Sequence, residues 1–342
     1  MTGGSSKEPS QILRDAVSGA PSRLEWVDTA KGLGIILVVI AHVWTKGPVR
    51  DFIYSFHMPL FFLLSGYMSK PRPMGEFFGK QVRAMAVPYV AFLLLLAGFD
   101  HVFETWRGVH PLFRDWHDAL WRLSVGGSEL RGPFTIFWFV PALFFGRLLQ
   151  NLIFQLVPDS RESDWRLLMG VSLIMGLWIG KSMDFSPLGL LAVPMVLVFL
   201  WLGALWRASG DDRQIMMMAF PVAVAGTVLL HHYQIFPLNM KVGDYFAPIL
   251  SLPTAIALSL CVCAIARHIP GDMLKRMLAR LGRISLVIMY LHVAVVHYLA
   301  PYFPDPATQK WILLGLAFLV PVLFNWIFTR FAVTRRLFLG SV

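Results

Sequence analysis

Long apolar runs, separated by short polar or Pro/Gly-rich segments, dominate this chain of 342 residues. A helix that crosses the roughly 30 Å hydrocarbon core of a bilayer needs about 20 mostly apolar residues. Ten runs approach that length, although the fifth is short and the first contains charges. They cover approximately residues 26–44, 52–69, 81–99, 133–157, 166–180, 186–206, 214–236, 247–267, 284–303 and 311–333. This pattern predicts an all-α, polytopic membrane helix bundle with about ten transmembrane helices.

The composition favours the same class of protein. Hydrophobic residues make up 56% of the chain and charged residues 15%, whereas soluble domains contain about 45–50% and about 25%. Cys261 and Cys263 lie in one apolar run, and this spacing supports neither a zinc site nor a disulfide framework, so no metal is predicted. Residues 1–22 are polar and predict a disordered cytoplasmic leader. We expect the membrane domain to cover 23–336 and a short cytoplasmic tail to follow at 337–342.

The distribution of lysine and arginine predicts the orientation of the bundle. With the N-terminus inside, the inner segments contain 20 of the 30 Lys and Arg residues, the outer segments contain 9, and Lys31 lies within the first run. Cytoplasmic loops of membrane proteins carry such an excess of positive charge. Ten crossings then place both termini on the cytoplasmic side of a plasma (cytoplasmic or inner) membrane. The same distribution explains the net charge of +10 without a nucleic-acid partner.

Ionisable residues within the first apolar run are the first candidates for chemistry, because a buried charge costs several kcal/mol unless it is paired or solvated. Asp28, Lys31 and His42 share one face of a helix, but Lys31 and His42 are about 16–17 Å apart along its axis. This separation suits a ligand path better than a compact dyad. Gly32 and Gly34 allow another backbone or a ligand to come close. Alternatively, Asp28 and Lys31 form an interfacial ion pair, and His42 is a hydrogen-bonded residue at the helix end.

The second run adds another imidazole to this candidate site. A tight hairpin between the first two runs would bring His57 to the same depth as His42, and Pro59 would open the helix just below it. Two histidines at one depth can act as a general base and as a polariser or substrate ligand. The alternative for His57 is a histidine whose hydrogen bonds are satisfied within the bundle.

Further motifs follow in order along most of the chain. After Asp28, Lys31-Gly32 and His42, the sequence contains FHMPLFFLLSGY from Phe56, Arg83 with Pro88-Tyr89, WFVPAL from Trp138, and LGRIS from Leu281 followed by YLH from Tyr290. Their joint order resembles the membrane-bound acyltransferase-3 family, and within it the fucose 4-O-acetylase-like and exopolysaccharide O-acetyltransferase branch. Lys31 departs from the arginine usual in that family, and lysine keeps the charge but lacks the bidentate fork.

The resemblance implies transfer of an acyl group, usually acetyl, from cytoplasmic acyl-CoA to a sugar hydroxyl of a cell-envelope or exported polysaccharide or its lipid-linked precursor. Such a reaction needs a base near the hydroxyl and a group that stabilises the developing oxyanion. Acetyl-CoA is the expected donor, and its negative charges require cations at the inner face. The expected site comprises catalytic His42, His57 and Asp28; donor-binding Lys31, Lys80, Arg83, Arg280 and Arg283; and substrate-binding Trp138, His232, Tyr290 and His292. Ordinary positive-inside bias and helix-end hydrogen bonds are the alternative roles for the cations and the remaining polar residues.

Other functions remain open from the sequence. A proton-coupled transporter or exporter of a glycan or small molecule would use the buried Asp28, Lys31 and histidines as a relay or binding site. Interrupted helices at corresponding positions of two halves, typical of transporters, are not evident. A purely structural membrane subunit would leave the buried charges without a purpose. For the acyltransferase, the expected partners are a glycan or lipid-linked oligosaccharide acceptor, membrane lipid and polysaccharide assembly machinery, with no nucleic acid.

Overall fold

The structure is a computed structural model that describes residues 24–210, 212–235 and 238–340. The predicted leader at 1–22 lies outside the described residues, as do the last two residues of the predicted tail. Within the described part the regular elements are helices, with one isolated β-bridge between Asn239 and Asp244. The prediction of an all-α bundle is confirmed.

Fifteen α-helices are present in the described residues. They are α1 (Glu25–Val43), α2 (Pro48–Tyr54), α3 (His57–Tyr67), α4 (Met74–Gln81), α5 (Val87–Trp106), α6 (Trp116–Val125), α7 (Phe139–Leu156), α8 (Ser163–Ser182), α9 (Val193–Ser209), α10 (Asp212–His232), α11 (Pro248–His268), α12 (Asp272–Arg283), α13 (Ser285–Leu299), α14 (Pro306–Arg330) and α15 (Ala332–Leu339). A π-helical turn (Val82–Ala86) joins α4 to α5 just before Pro88, which cannot donate a backbone hydrogen bond.

Eight helical segments in the described part are long and apolar enough to cross a membrane, as expected of a multi-pass integral membrane protein. They are Glu25–Val43, Met74–Trp106, Gly132–Leu156, Pro187–Ser209, Arg213–His232, Pro248–His268, Ser285–Tyr302 and Thr308–Arg330. Each overlaps one of the ten predicted runs. The fifth run corresponds to α8, a continuous helix of 20 residues that is not among these eight. The number of crossings and their orientation stay predictions.

The second predicted run is not one helix, and this corrects the sequence-based prediction. The chain breaks at Ser55–Phe56, between α2 and α3. The 11 residues of α3 span only about 16 Å, roughly half of the hydrocarbon core. Pro59 does not open a helix below His57, because it lies in the first turn of α3, where a missing N–H is tolerated. The break places α2 and the start of α3 beside the end of α1.

Backbone groups freed by the break find partners inside the protein. The carbonyl of Ile53 accepts from the backbone N–H of Phe56 and from the ring of His57. The hydroxyl of Ser55 donates to the carbonyl of Phe52 over 2.6 Å. Irregular backbone within a membrane protein is tolerated where it is covered by protein or lines a cavity. The break is therefore compatible with membrane depth.

Glycines allow the helices around this region to approach closely. A Cβ at Gly32 of α1 would overlap the backbone of Leu278 in α12, and one at Gly282 of α12 would overlap the carbonyl of Asp28. α3 and α9 approach each other equally closely, because a Cβ at Gly66 of α3 or at Gly203 of α9 would overlap the backbone of the other helix. Close backbone contact through glycine is a common way to join helices in membranes. Gly32 thus serves helix packing, which decides between the two uses that the sequence left open.

The last described helix, α15, packs against the bundle. In α15, the ring of Phe338 stacks on Phe328 with centroids 4.3 Å apart, and it lies 5.0 Å from Phe92 of α5. The predicted boundary between domain and tail at 336/337 therefore falls inside a helix that contacts the bundle.

The long connection between α5 and α7 contains the helix α6. Buried Asp100 holds this connection in place. One of its carboxylate oxygens accepts from the backbone N–H of Leu112, and the other accepts from the hydroxyl of Tyr298, each over 2.7 Å. The connection leads directly to residues 135–139, which form part of the cavity described next.

Candidate active site

A cavity of about 380 Å³ lies among α1, α2, α3, α7, the start of α13 and the loop before α11. Its size is within the range of small-molecule sites in proteins. Its polar lining consists of His42, Arg50, Tyr54, His57, Thr135, Asn239, Lys241 and Ser285. Both histidines of the predicted hairpin therefore line one cavity.

Tyr54 stands between the two histidines. Its hydroxyl lies 3.5 Å from Nδ1 of His42, and the two ring centroids are 5.8 Å apart. On the other side, the centroids of Tyr54 and His57 are 4.6 Å apart. The break between α2 and α3 produces this arrangement, because it turns the last residue of one helix and the first residue of the next toward the same space.

The tautomer of His57 follows from its hydrogen bond. Nδ1 lies 3.1 Å from the carbonyl oxygen of Ile53, and because a carbonyl can only accept, Nδ1 carries the proton. In the neutral ring, Nε2 is then a hydrogen-bond acceptor. His57 is thus suited to accept a hydrogen bond from a substrate hydroxyl, and less suited to polarise a carbonyl.

A third histidine touches the first. His292 of α13 is fully buried, and its ring meets that of His42 edge to face with centroids 5.0 Å apart. Its Nδ1 donates to the carbonyl of Ile288 over 2.8 Å, so Nε2 is unprotonated in the neutral ring. This Nε2 is buried and has no hydrogen-bond partner among the described residues. An unsatisfied acceptor beside His42 is costly for stability and is the type of feature found at functional sites.

The other end of the cavity is apolar. Ile35 and Val38 of α1 line it together with Phe61, Leu143 and Leu286. Ile35 precedes His42 by seven residues, so the cavity extends about 10 Å along α1 from the histidines. α13 runs beside α1 in the same direction. Ser285, at its start, lines the cavity, and His292, seven residues later, contacts His42.

Cations lie beyond the apolar end. Lys31 is half-buried one helical turn before Ile35, and exposed Arg283 comes two residues before Ser285. Arg147, one turn beyond Leu143, has a buried Nε with no hydrogen-bond partner within the described residues. Sequence reasoning missed Arg147, which was counted only as part of the positive-inside bias. The cavity therefore has an imidazole-rich end and an apolar end that leads toward positive charge.

The structure separates the other predicted site residues into two groups. Trp138 lines the cavity, and Tyr290 is buried behind it, stacked on Phe92 with centroids 4.6 Å apart.

Asp28 is buried where α1 contacts α12, about 21 Å from His42 along the helix axis, and does not line the cavity. His232 is exposed at the end of α10 and does not line the cavity either. Lys80, Arg83 and Arg280 are exposed, as is Arg283.

Some cavity residues were not singled out from the sequence. Tyr54 precedes His57 by three residues, and this spacing in an otherwise apolar run was a usable signal. Arg50 lies 4.1 Å above the ring of Tyr54 and was counted only as an outer cation. Lys241 and Asn239 come from a loop nearly 200 residues away in the sequence, and no local pattern connects them to His42.

The chain matches a known protein family over most of its length. A family model described as an acyltransferase domain, that of the acyltransferase-3 family, matches residues 24–330. The match covers nearly all of the described residues and every residue of the cavity. No curated protein matches the chain.

Proposed function

This chain belongs to the acyltransferase-3 family, and on that premise we propose that it is a membrane O-acyltransferase. The group transferred is acetyl, the donor is cytoplasmic acetyl-CoA, and the acceptor is a sugar hydroxyl. The acceptor belongs to a cell-envelope or exported polysaccharide or to its lipid-linked precursor. The observation that carries the proposal is that one cavity has His42, contacted by Tyr54 and His292, at its imidazole-rich end and apolar side chains at the other end.

The two ends of the cavity suit the two substrates. The apolar end, between Ile35 and Leu286, accommodates the acyl group and the pantetheine arm of the acetyl-CoA donor that bears it. Lys31, Arg147 and Arg283 beyond this end supply positive charge for the phosphates of the donor. The polar end supplies hydrogen-bonding groups for a sugar. The positive-inside bias supports placing the donor end on the cytoplasmic side of a plasma or inner membrane.

His42 is the general base in this proposal. It takes the proton from the acceptor hydroxyl as the hydroxyl oxygen attacks the thioester carbonyl carbon. The C–S bond then breaks, the thiolate leaves, and the proton held by His42 neutralises it, so the products are an ester and a free thiol. His292 is a positioning residue, because its Nε2 can accept a hydrogen bond from the ring of His42 and orient it. His57 accepts a hydrogen bond from the sugar.

The test uses purified protein in lipid nanodiscs with acetyl-CoA and isolated envelope glycans, and it measures thiol release together with glycan acetylation by mass spectrometry. His42→Ala is expected to lower turnover by about 10²–10⁴-fold, the usual contribution of a general base. His101→Ala is the matched control, because His101 is exposed on α5 and does not line the cavity.

Two results would argue against the proposal. Full turnover by a correctly folded His42→Ala protein would remove His42 from the mechanism. Glycan flux across proteoliposomes without acetyl-CoA, with no acetylated product, would favour a transporter instead. In cells, loss of the gene should remove an acetyl group from an envelope glycan.

A further inference from the structure

A lysine lies at the polar end of the cavity without an acidic partner. Nζ of Lys241 donates to the backbone carbonyl of Leu130 over 2.8 Å and to the hydroxyl of Thr135 over 2.9 Å. An ammonium group has three N–H donors, so one remains for another acceptor. Both existing acceptors are neutral, and among the described residues no carboxylate lies within ion-pair distance of Nζ.

The charges around Lys241 make this position more unusual. Burial, with a further contribution from nearby Arg131, lowers the pKa of Lys241 to about 8. Burial raises the pKa of Asp244, three residues further along the same loop, and the nearby charge that opposes this shift is that of Lys181. An ionised lysine that is partly buried beside a like charge lowers the stability of the protein, unless a bound anion compensates its charge.

Arg50 adds a second cation to the same end of the cavity. Its guanidinium contacts the ring of Tyr54 and pairs with exposed Asp51 over 2.8 Å, so its charge is partly compensated. The described residues that line the cavity include these two cations and no Asp or Glu. The polar end is therefore positively charged, and it contains the histidines that would act on the acceptor.

We propose that the acceptor is an anionic glycan and that Lys241, with Arg50, binds its carboxylate or phosphate group. This inference rests on the proposed acyltransferase function and specifies its acceptor. The chemistry shared by the two anions is a pair of oxygens that accept charge-assisted hydrogen bonds. A uronic acid would supply a carboxylate, and a lipid-linked precursor would supply a phosphate. Binding of the anion at this end positions a neighbouring hydroxyl toward His42 and His57.

The first experiment measures binding without requiring turnover. The purified protein in nanodiscs is treated briefly with acetic anhydride at pH 7.5, and modification of each lysine is quantified by peptide mass spectrometry. Glucuronate and glucose 1-phosphate are added as anionic probes, with glucose as the neutral probe and potassium chloride matching ionic strength. Lys46 is the internal control, because it is exposed at the turn after α1 and does not line the cavity.

At least one anionic probe is expected to lower modification of Lys241 by threefold or more, while glucose leaves it unchanged and Lys46 reacts equally in every sample. Stronger protection by glucuronate would indicate a carboxylate, and stronger protection by glucose 1-phosphate would indicate a phosphate. Equal modification of Lys241 with all three probes would overturn the proposal, whether or not the protein transfers acetyl groups.

The second experiment measures specificity in the acetyl-transfer assay with p-nitrophenyl glucuronide and p-nitrophenyl glucoside, which differ by a carboxylate. A desolvated hydrogen bond to a charged group predicts about a tenfold or greater preference in kcat/KM for the glucuronide. Lys241→Met should remove this preference through KM, Lys241→Arg should retain part of it, and Lys46→Met should retain all of it.

The assay separates a specificity role for Lys241 from other roles. Equal loss of kcat for both acceptors in Lys241→Met would assign Lys241 to the chemical step and overturn the proposal. Failure of the protein to transfer acetyl to any acceptor, combined with selective protection of Lys241, would refute the proposed function and leave the anion site in place.

Discussion

Each half of α1 contains an ionisable candidate residue, Asp28 in the first and His42 in the second, and the structure surrounds the two differently. In the first half, Asp28 and Gly32 are buried against α12, with backbone in direct contact with backbone. In the second half, Ile35 and His42 face a cavity, and His42 contacts two other aromatic rings. The comparison shows that two ionisable residues of one membrane helix can differ in whether they face a cavity. The packing of the surrounding helices determines whether such a side chain contacts another helix or faces a cavity.

We expect the largest effect of substitution in the first half of α1 at its contact with α12, where it would lower the stability of the fold. Gly32→Val would force a side chain into the backbone of Leu278, and overpacking of this kind costs about 1–3 kcal/mol, occasionally more. We expect a sharp loss of folded protein, measured as the monodisperse yield and the thermal unfolding midpoint in detergent.

Gly98→Val is the control for this change, since a Cβ at Gly98 meets nothing within 4 Å. A Gly32→Val protein as stable as wild type would mean that α1 and α12 do not pack through this glycine, and the contrast between the two halves would fail.

The second half should respond in activity rather than in stability. His292→Phe keeps a ring beside His42 but removes the acceptor Nε2, so we expect kcat to fall by about 10²-fold, the lower end for acid–base assistance. The KM for acetyl-CoA should change little, and so should the unfolding midpoint. Steady-state kinetics and thermal unfolding of the same preparation measure both.

Two variants support the interpretation of that experiment. His297→Phe changes an exposed histidine of the same helix and should leave kcat unchanged. His292→Asn supplies a smaller acceptor and should recover part of the rate if His292 orients His42. An unchanged kcat in folded His292→Phe would show that the contact between the rings is only structural.

The smallest effect is expected at the exposed cations of α12. Exposed charges interact weakly and are screened by salt. The double variant Arg280→Gln, Arg283→Gln should raise the KM for acetyl-CoA by about two- to fivefold at low ionic strength, with kcat unchanged, and the difference should vanish at high salt. A matched Lys46→Gln protein should show no change in KM. A salt-independent loss of kcat would instead place these arginines within the catalytic cavity.

The sequence alone determined the class of the protein, its main helices and its family. Runs of apolar residues near bilayer length are typical of membrane-spanning helices, and eight of the ten predicted runs correspond to apolar helices of sufficient length. The position of His42 on one helix with Lys31 also followed from helical periodicity. These features are local, and a local pattern is sufficient to specify them.

Only the tertiary structure decided what surrounds His42. The break at Ser55–Phe56 depends on partners for the freed backbone groups, and a hydropathy pattern does not contain that information. Likewise, Lys241 joins the cavity through hydrogen bonds to Leu130 and Thr135, which lie more than 100 residues earlier in the chain. Such contacts form when distant segments pack together. The site is therefore a product of packing between helices and loops whose sequences, taken singly, indicate only membrane segments and their connections.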